Sequence, residues 1–322
     1  MPISVIEKKI KNNLAQIDYQ VQEYYRPSAN LKRSILDNPN ISIKIKSKNS
    51  FDIYIKFSDY HEMIANNFYY NNQRFKIQIK ELDKLKTSPS IAWFLITMYY
   101  ASFFASNEIS NLAGYFNFNF DANEKNQLFA KNEELNTKDA LSFKESETKN
   151  FYGILSLCDE PNMAKISCRN GGGKPHELSW NNLSKLLTSN GQNPDVYARE
   201  IKLKSILKNE KNWKRPNMIR NEWNYSKAEL YSSHNPQYTL DLKKYFNNYR
   251  ELKKWAEAKR LDYRGGENDD FISIMFLLNT LKKVMEKMET FLLTQDLLKE
   301  EVNLQLDKNK KKKRYKKKKR KK

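Results

Sequence analysis

Cysteine is nearly absent from this chain: Cys158 and Cys168 are the only two in 322 residues. Two thiols are too few to staple a fold of this size, so both are expected reduced, in a cytoplasmic protein. The three histidines (His61, His176 and His234) share no metal-ligand spacing with one another or with the cysteines, and neither a zinc site nor another cofactor is expected. Glycine and proline are scarce, at 8 and 9 residues, which argues against fibrous and low-complexity chains and favours helix-rich order. No apolar run reaches the ~20 residues that a bilayer requires. The opening MPISVIEKKIKNN moves straight into charge, so no secretory leader is expected either.

Acid is missing from the C-terminus. Of the formal charge of +20, 13 positive charges lie between Lys308 and Lys322, leaving +7 for residues 1–307. The segment 307–322 carries Lys310, Lys311, Lys312, Lys313, Arg314, Lys316, Lys317, Lys318, Lys319 and Arg320. With nothing apolar to bury, it is expected to be a disordered tail. Such a tail binds polyanions through counterion release: nucleic acid first, RNA favoured over DNA. No lipid anchor accompanies it, so no membrane partner is expected.

What the chain does have is one long apolar stretch, Ile91 to Gly114. From Ile91 to Ala105 it is apolar on every side, its only hydroxyls being Thr97, Ser102, Tyr99 and Tyr100. A helix of that kind is buried rather than amphipathic. Pro89 and Ser90 mark its start and Gly114 its stop.

Around it the period changes several times. Ile6, Ile10, Leu14, Ile17, Val21 and Tyr24 step by three and four, the pattern of a helix over 3–25. Ile41, Ile43 and Ile45, then Ile53, Ile55 and Phe57, alternate with polar residues across a Ser47–Ser50 turn, which predicts a β-hairpin. Phe75, Ile77 and Ile79 suggest a third strand. That sheet would turn Lys44, Lys46, Lys56, Lys76 and Lys80 outward with Tyr54, either as a solvated face or as a platform for phosphates and bases.

YFNFNF (Tyr115–Phe120) reads as a short strand, and residues 121–150 as loop or surface helix. NFYGILSLC and MAKISC read as a second hairpin. Gly171-Gly172-Gly173-Lys174 lacks the first glycine and the Ser or Thr of a phosphate-binding loop, so it is expected to be a connector.

Helices are expected over Glu177–Leu187 and Val196–Leu207, and from an Asn217 N-cap to Leu230. A closing helical hairpin includes the seam Ile274, Leu278, Leu281, Met285, Met288 and Leu292, with Asp269 or Asp270 as cap. That seam suits packing within the chain or a homodimer.

The most informative polar cluster is Arg220-Asn221-Glu222-Trp223-Asn224-Tyr225. At a helix start, Arg220 would stand beside unpaired amides, and forked guanidinium plus amides suit a phosphate. Paired with the buried helix WFLITMYYASFFASNEISNLAG, this motif resembles the HEPN superfamily of prokaryotic RNases. Their motif is an arginine, often followed by asparagine, with a histidine a few residues later.

The resemblance implies a compact helical bundle, metal-independent RNA cleavage, and a dimer whose two motifs share one cleft. It also implies a role as antiphage or toxin effector with an antitoxin or other protein partner. Here the histidine position is Tyr225. The expected roles are Arg220 on the scissile phosphate, Asn221 and Asn224 orienting it, and Tyr225 as proton donor. Helix geometry sets Arg220 and Tyr225 roughly 140° apart, so they converge only if the arginine sits in an irregular entry turn. Asn107, Glu108 and His234 are further cleft candidates, and His176 is an unanchored histidine.

The resulting expectation is an α+β protein. It comprises an N-terminal helix and antiparallel sheet (1–88), a HEPN-like helical core (89–306) with a β-hairpin insertion at about 115–175, and the basic tail. A non-catalytic nucleic-acid-binding subunit of a larger complex is the alternative function.

Overall fold

The computed structural model describes residues 6–11, 30–86, 90–135, 137–158, 162–187, 203–208, 215–225 and 267–294, with 246, 248, 250–252 and 254. The expected tail 307–322 lies outside these residues, as do most of the expected helices 3–25 and Val196–Leu207 and the segment 226–230. The parts of those helices that are described, 6–11 (α1) and 203–207 (α8), are helical. Ile6, Ile10, Leu203 and Leu207 are buried.

The fold is mixed α+β, and its axis is helix α4, Ile91–Leu112. Ser90 caps it by accepting from the Trp93 amide at 3.3 Å, and Gly114 takes φ +80° just beyond it, a conformation that suits glycine. Two of its buried hydroxyls are satisfied inside the helix: Ser102 donates to the Met98 carbonyl and Ser110 to that of Ser106, both at 2.8 Å. Four helices pack against it: α3 (Phe57–Leu85), α7 (Pro175–Leu186), α9 (Arg215–Tyr225) and α10 (Glu267–Thr294). Apolarity on all sides therefore has a cause, since nearly every face of α4 has a neighbour.

The seam Ile274 to Leu292 lies on α10 and is buried within the chain itself, where α10 packs on α4. Asp270 does not cap that helix. It lies inside the first turns and pairs with Arg215 at 3.3 Å, tying α9 to α10.

The five strands form one antiparallel sheet in the order β1-β2-β5-β4-β3. The elements are β1 Ser42–Ser47, β2 Ser50–Lys56, β3 Tyr115–Asn119, β4 Asn150–Leu157 and β5 Met163–Asn170. The second hairpin is thus not a separate insertion, because β2 pairs with β5 from Ser50↔Arg169 to Lys56↔Met163. Phe51 anchors the inner face, edge-on to Phe143 at 5.3 Å and Phe151 at 5.1 Å. Phe143 comes from α6 (Lys138–Glu145), which, with the box-capped α5 (Ala122–Ala130), fills the 121–150 stretch. The free edge of β1 is closed by residues 131–133, whose backbone exchanges hydrogen bonds with Ile43 while Asn132 Oδ1 accepts from the Ile45 amide.

The third expected strand does not exist. Phe75, Ile77 and Ile79 belong to the 29-residue helix α3. Tyr60, Ile64, Phe68, Phe75 and Leu82 recur at four and seven, a stripe long enough to overrule a five-residue alternation. Ile77 is left on the outer side, 53% exposed. Lys76 and Lys80 consequently stand on α3 rather than on the sheet's outer face.

Candidate functional site

Helix α9 begins at Arg215, earlier than expected, so Asn217 falls in its first turn and Arg220 in its second. Arg220 is therefore not beside free amides. Ile219 and Trp223 bury one face of α9, with Trp223 6.3 Å from Phe271. The guanidinium reaches back across to α4. Its Nη2 donates to the Tyr100 hydroxyl at 2.5 Å and its Nη1 to Asn221 Oδ1 at 2.6 Å. The arginine also lies over Tyr225, 5.7 Å from the ring centroid, so the two motif residues meet without an irregular turn. The length of the side chain supplies what helix rotation denies. Tyr225 is 72% exposed, and Asn224 is half buried one turn beyond Arg220.

The neighbouring residue on α4, Tyr99, organises the rest. Its hydroxyl stands 2.7 Å from His176 Nδ1 and 3.3 Å from Asn217 Oδ1, to which it donates. Burial holds Tyr99 well above the ordinary tyrosine range, with Trp180 and Arg220 opposing that shift, so it stays a neutral hydroxyl. When the Tyr99 proton goes to Asn217, its oxygen accepts from Nδ1–H, and in that tautomer Nε2 is the basic nitrogen of His176.

Phe103 stacks on the imidazole at a centroid distance of 4.2 Å. Burial, and then the Arg220 charge, lower the His176 pKa. His176 also sits in the first turn of α7, where the helix dipole disfavours a cation. The imidazole is therefore neutral near pH 7. No other hydrogen bond joins it among the described residues. A guanidinium and an uncharged imidazole are thus held on adjacent tyrosines of one helix.

The other expected site residues are distributed differently. Glu108 is fully buried two turns further along α4 and belongs to a separate polar cluster. Its Oε2 accepts from Asn67 and Asn71 of α3, each at 2.7 Å, while Asn67 Oδ1 accepts from the Leu31 amide that opens α2 (Leu31–Asp37). Burial pushes the Glu108 carboxyl up to about 7, against those hydrogen bonds. Asn107 lies half buried beside it. His234 and the tail cations Lys310 to Arg320 lie outside the described residues.

The residues that sequence reasoning missed are Tyr99, Tyr100, Phe103 and Asn217. The available signal was the tyrosine pair itself, two polar tips in the middle of an otherwise apolar run. Comparison of the chain with protein-family models, curated proteins and solved structures found no match. The reading therefore stands on this geometry.

Proposed function

We propose that the chain is an RNA-targeting effector that cleaves phosphodiesters without a metal, with His176 supplying the histidine that the Arg220–Tyr225 motif lacks. The observation that carries this reading is the convergence of Arg220 and His176 on the Tyr99–Tyr100 pair. In such cleavage a base takes the proton of the 2′-hydroxyl, and the 2′-oxygen then attacks phosphorus. The 5′-oxygen departs with a proton from an acid, leaving a 2′,3′-cyclic phosphate.

Neutral His176 accepts the first proton at Nε2. Arg220, steadied by Asn221 and Tyr100, neutralises the phosphoryl oxygens. Tyr225, beside the guanidinium and open to solvent, returns a proton to the leaving oxygen, and Asn224 helps to orient the phosphate. A bacterial antiphage or toxin setting, with a homodimer or antitoxin as partner, follows from the HEPN resemblance.

The test is incubation of the purified chain with total RNA in EDTA. Cleavage that disappears in His176→Ala and in Arg220→Ala supports the assignment. No cleavage by the native chain, or cleavage indifferent to both changes, sinks it. A second reading, binding without cleavage, draws on Arg220 being bonded to two neutral groups, which leaves its charge for a phosphate. It predicts RNA retention that Arg220→Ala weakens and His176→Ala leaves intact.

A further inference from the structure

A second arrangement adjoins Arg220 and runs away from His176. Arg220 lies over the Tyr100 ring at 5.4 Å, and Tyr100 neighbours Phe104, one turn along α4, at 6.5 Å. Arg74 of α3 lies over Phe104 at 4.4 Å and over Tyr70 at 5.6 Å. With Tyr225 beyond Arg220, rings and guanidiniums interleave from Tyr70 on α3, across α4, to Tyr225 on α9.

The two ends are open, Tyr70 being 40% and Tyr225 72% exposed, and Arg74 is exposed between them. Among the described residues neither arginine has a carboxylate partner.

We infer that this strip is a binding track for single-stranded nucleic acid that leads the chain to Arg220 and His176. The chemistry decides the occupant. Unneutralised planar cations spaced by aromatic faces match a polymer that alternates phosphates with stacking bases. A duplex keeps its base faces inside and offers only phosphates. The inference deepens the proposed function, since it takes Arg220 as a phosphate ligand, but it concerns binding and stands apart from the cleavage step.

The test uses the full chain and a fluorescein-labelled single-stranded 2′-O-methyl RNA of roughly 12 nucleotides. That probe has no free 2′-hydroxyl to react. Anisotropy is read at about 0.3 M salt, where binding through the polybasic segment is suppressed. Tyr70→Ala with Arg74→Ala should weaken binding about tenfold or more, and single-stranded DNA should follow RNA. Both substituted positions are exposed, so folding is spared.

An unchanged Kd in the double variant overturns the inference, as does an equal loss for the same RNA annealed into a duplex. If the native chain cuts RNA while the double variant binds normally, this inference alone falls. If it cuts nothing and the double variant still loses binding, the track stands and the cleavage reading falls.

Discussion

Tyr99 and His176, 77 residues apart in sequence, meet with hydroxyl and Nδ1 2.7 Å apart, and Tyr99 in turn donates to Asn217. The contact ties Nδ1 to Tyr99 and leaves Nε2 as the ring nitrogen that the proposed cleavage uses. Tyr99→Phe removes the hydroxyl and little volume, so the buried ring stays packed. Cleavage by the variant should fall by roughly 10–100-fold, less than the roughly 10²–10⁴-fold expected for His176→Ala. Rates of the two variants on one RNA check this, and a Tyr99→Phe variant with native rates would remove Tyr99 as a positioning residue.

The charge of Arg220 bears on His176. Removing it in Arg220→Gln should raise the histidine pKa, since the lowering by burial remains and the coulombic part is lost. With only three histidines in the chain, imidazole signals can be followed through an NMR titration. The His176 signal should titrate below the ordinary 6.5 in the native chain and move upward in the variant. His61, buried on α3, serves as internal reference and should stay near 4 in both. A His176 curve that does not move would show that Arg220 is electrically remote from it.

How legible this was in the sequence follows the range of the interactions. The hairpin Ser42–Lys56 and the capped α4 were readable because alternation and a Ser90 cap are local. Merging two hairpins into one sheet depended on β2 meeting β5 across more than 100 residues, and no local pattern records such a pairing. The FKIQIK alternation is a five-residue period-2 match inside a longer period-3.6 stripe, and the longer stripe decides the structure. Arg220 is conspicuous by its chemistry, but the Tyr100 hydroxyl that holds its guanidinium comes from another helix. His176 looked unanchored because its anchor, Tyr99, read only as part of an apolar run.

Glu108 should make the protein less stable as pH rises. Its folded pKa, about 7, exceeds the ordinary 4.5, so the folded state holds a proton that the unfolded chain releases. Relative stability is then full below about pH 4.5 and is lost between there and about pH 7, by roughly 3 kcal/mol at most. Glu108→Gln does not titrate and keeps an acceptor for Asn67 and Asn71. Urea unfolding at pH 5 and pH 8 should show the variant gaining on the native chain by roughly 1–3 kcal/mol over that interval. His61, depressed to about 4, acts in the opposite sense, removing stability as pH falls from 6.5 to 4. It is common to both proteins and cancels in the difference. A difference independent of pH would mean that Glu108 is ionised throughout.

Gly153 lies in β4 opposite Phe116 and Cys168, where two aromatic strands and β5 converge. A Cβ there would come 2.9 Å from Ile166 Cγ2, 3.2 Å from Phe118 Cε2 and 3.3 Å from Phe116 Cβ. Ile166 and Phe116 are fully buried and Phe118 nearly so, leaving no open side toward which they can retreat. In an open strand, replacing glycine with alanine would gain about 0.5–1 kcal/mol through the less flexible unfolded chain. Overpacking acts against that gain and is the larger effect at these distances. Gly153→Ala should therefore destabilise by roughly 1–3 kcal/mol, seen as a lower urea midpoint with an unchanged slope. A midpoint at or above that of the native chain would mean the inner face has slack at Gly153 and that the glycine serves something other than close packing.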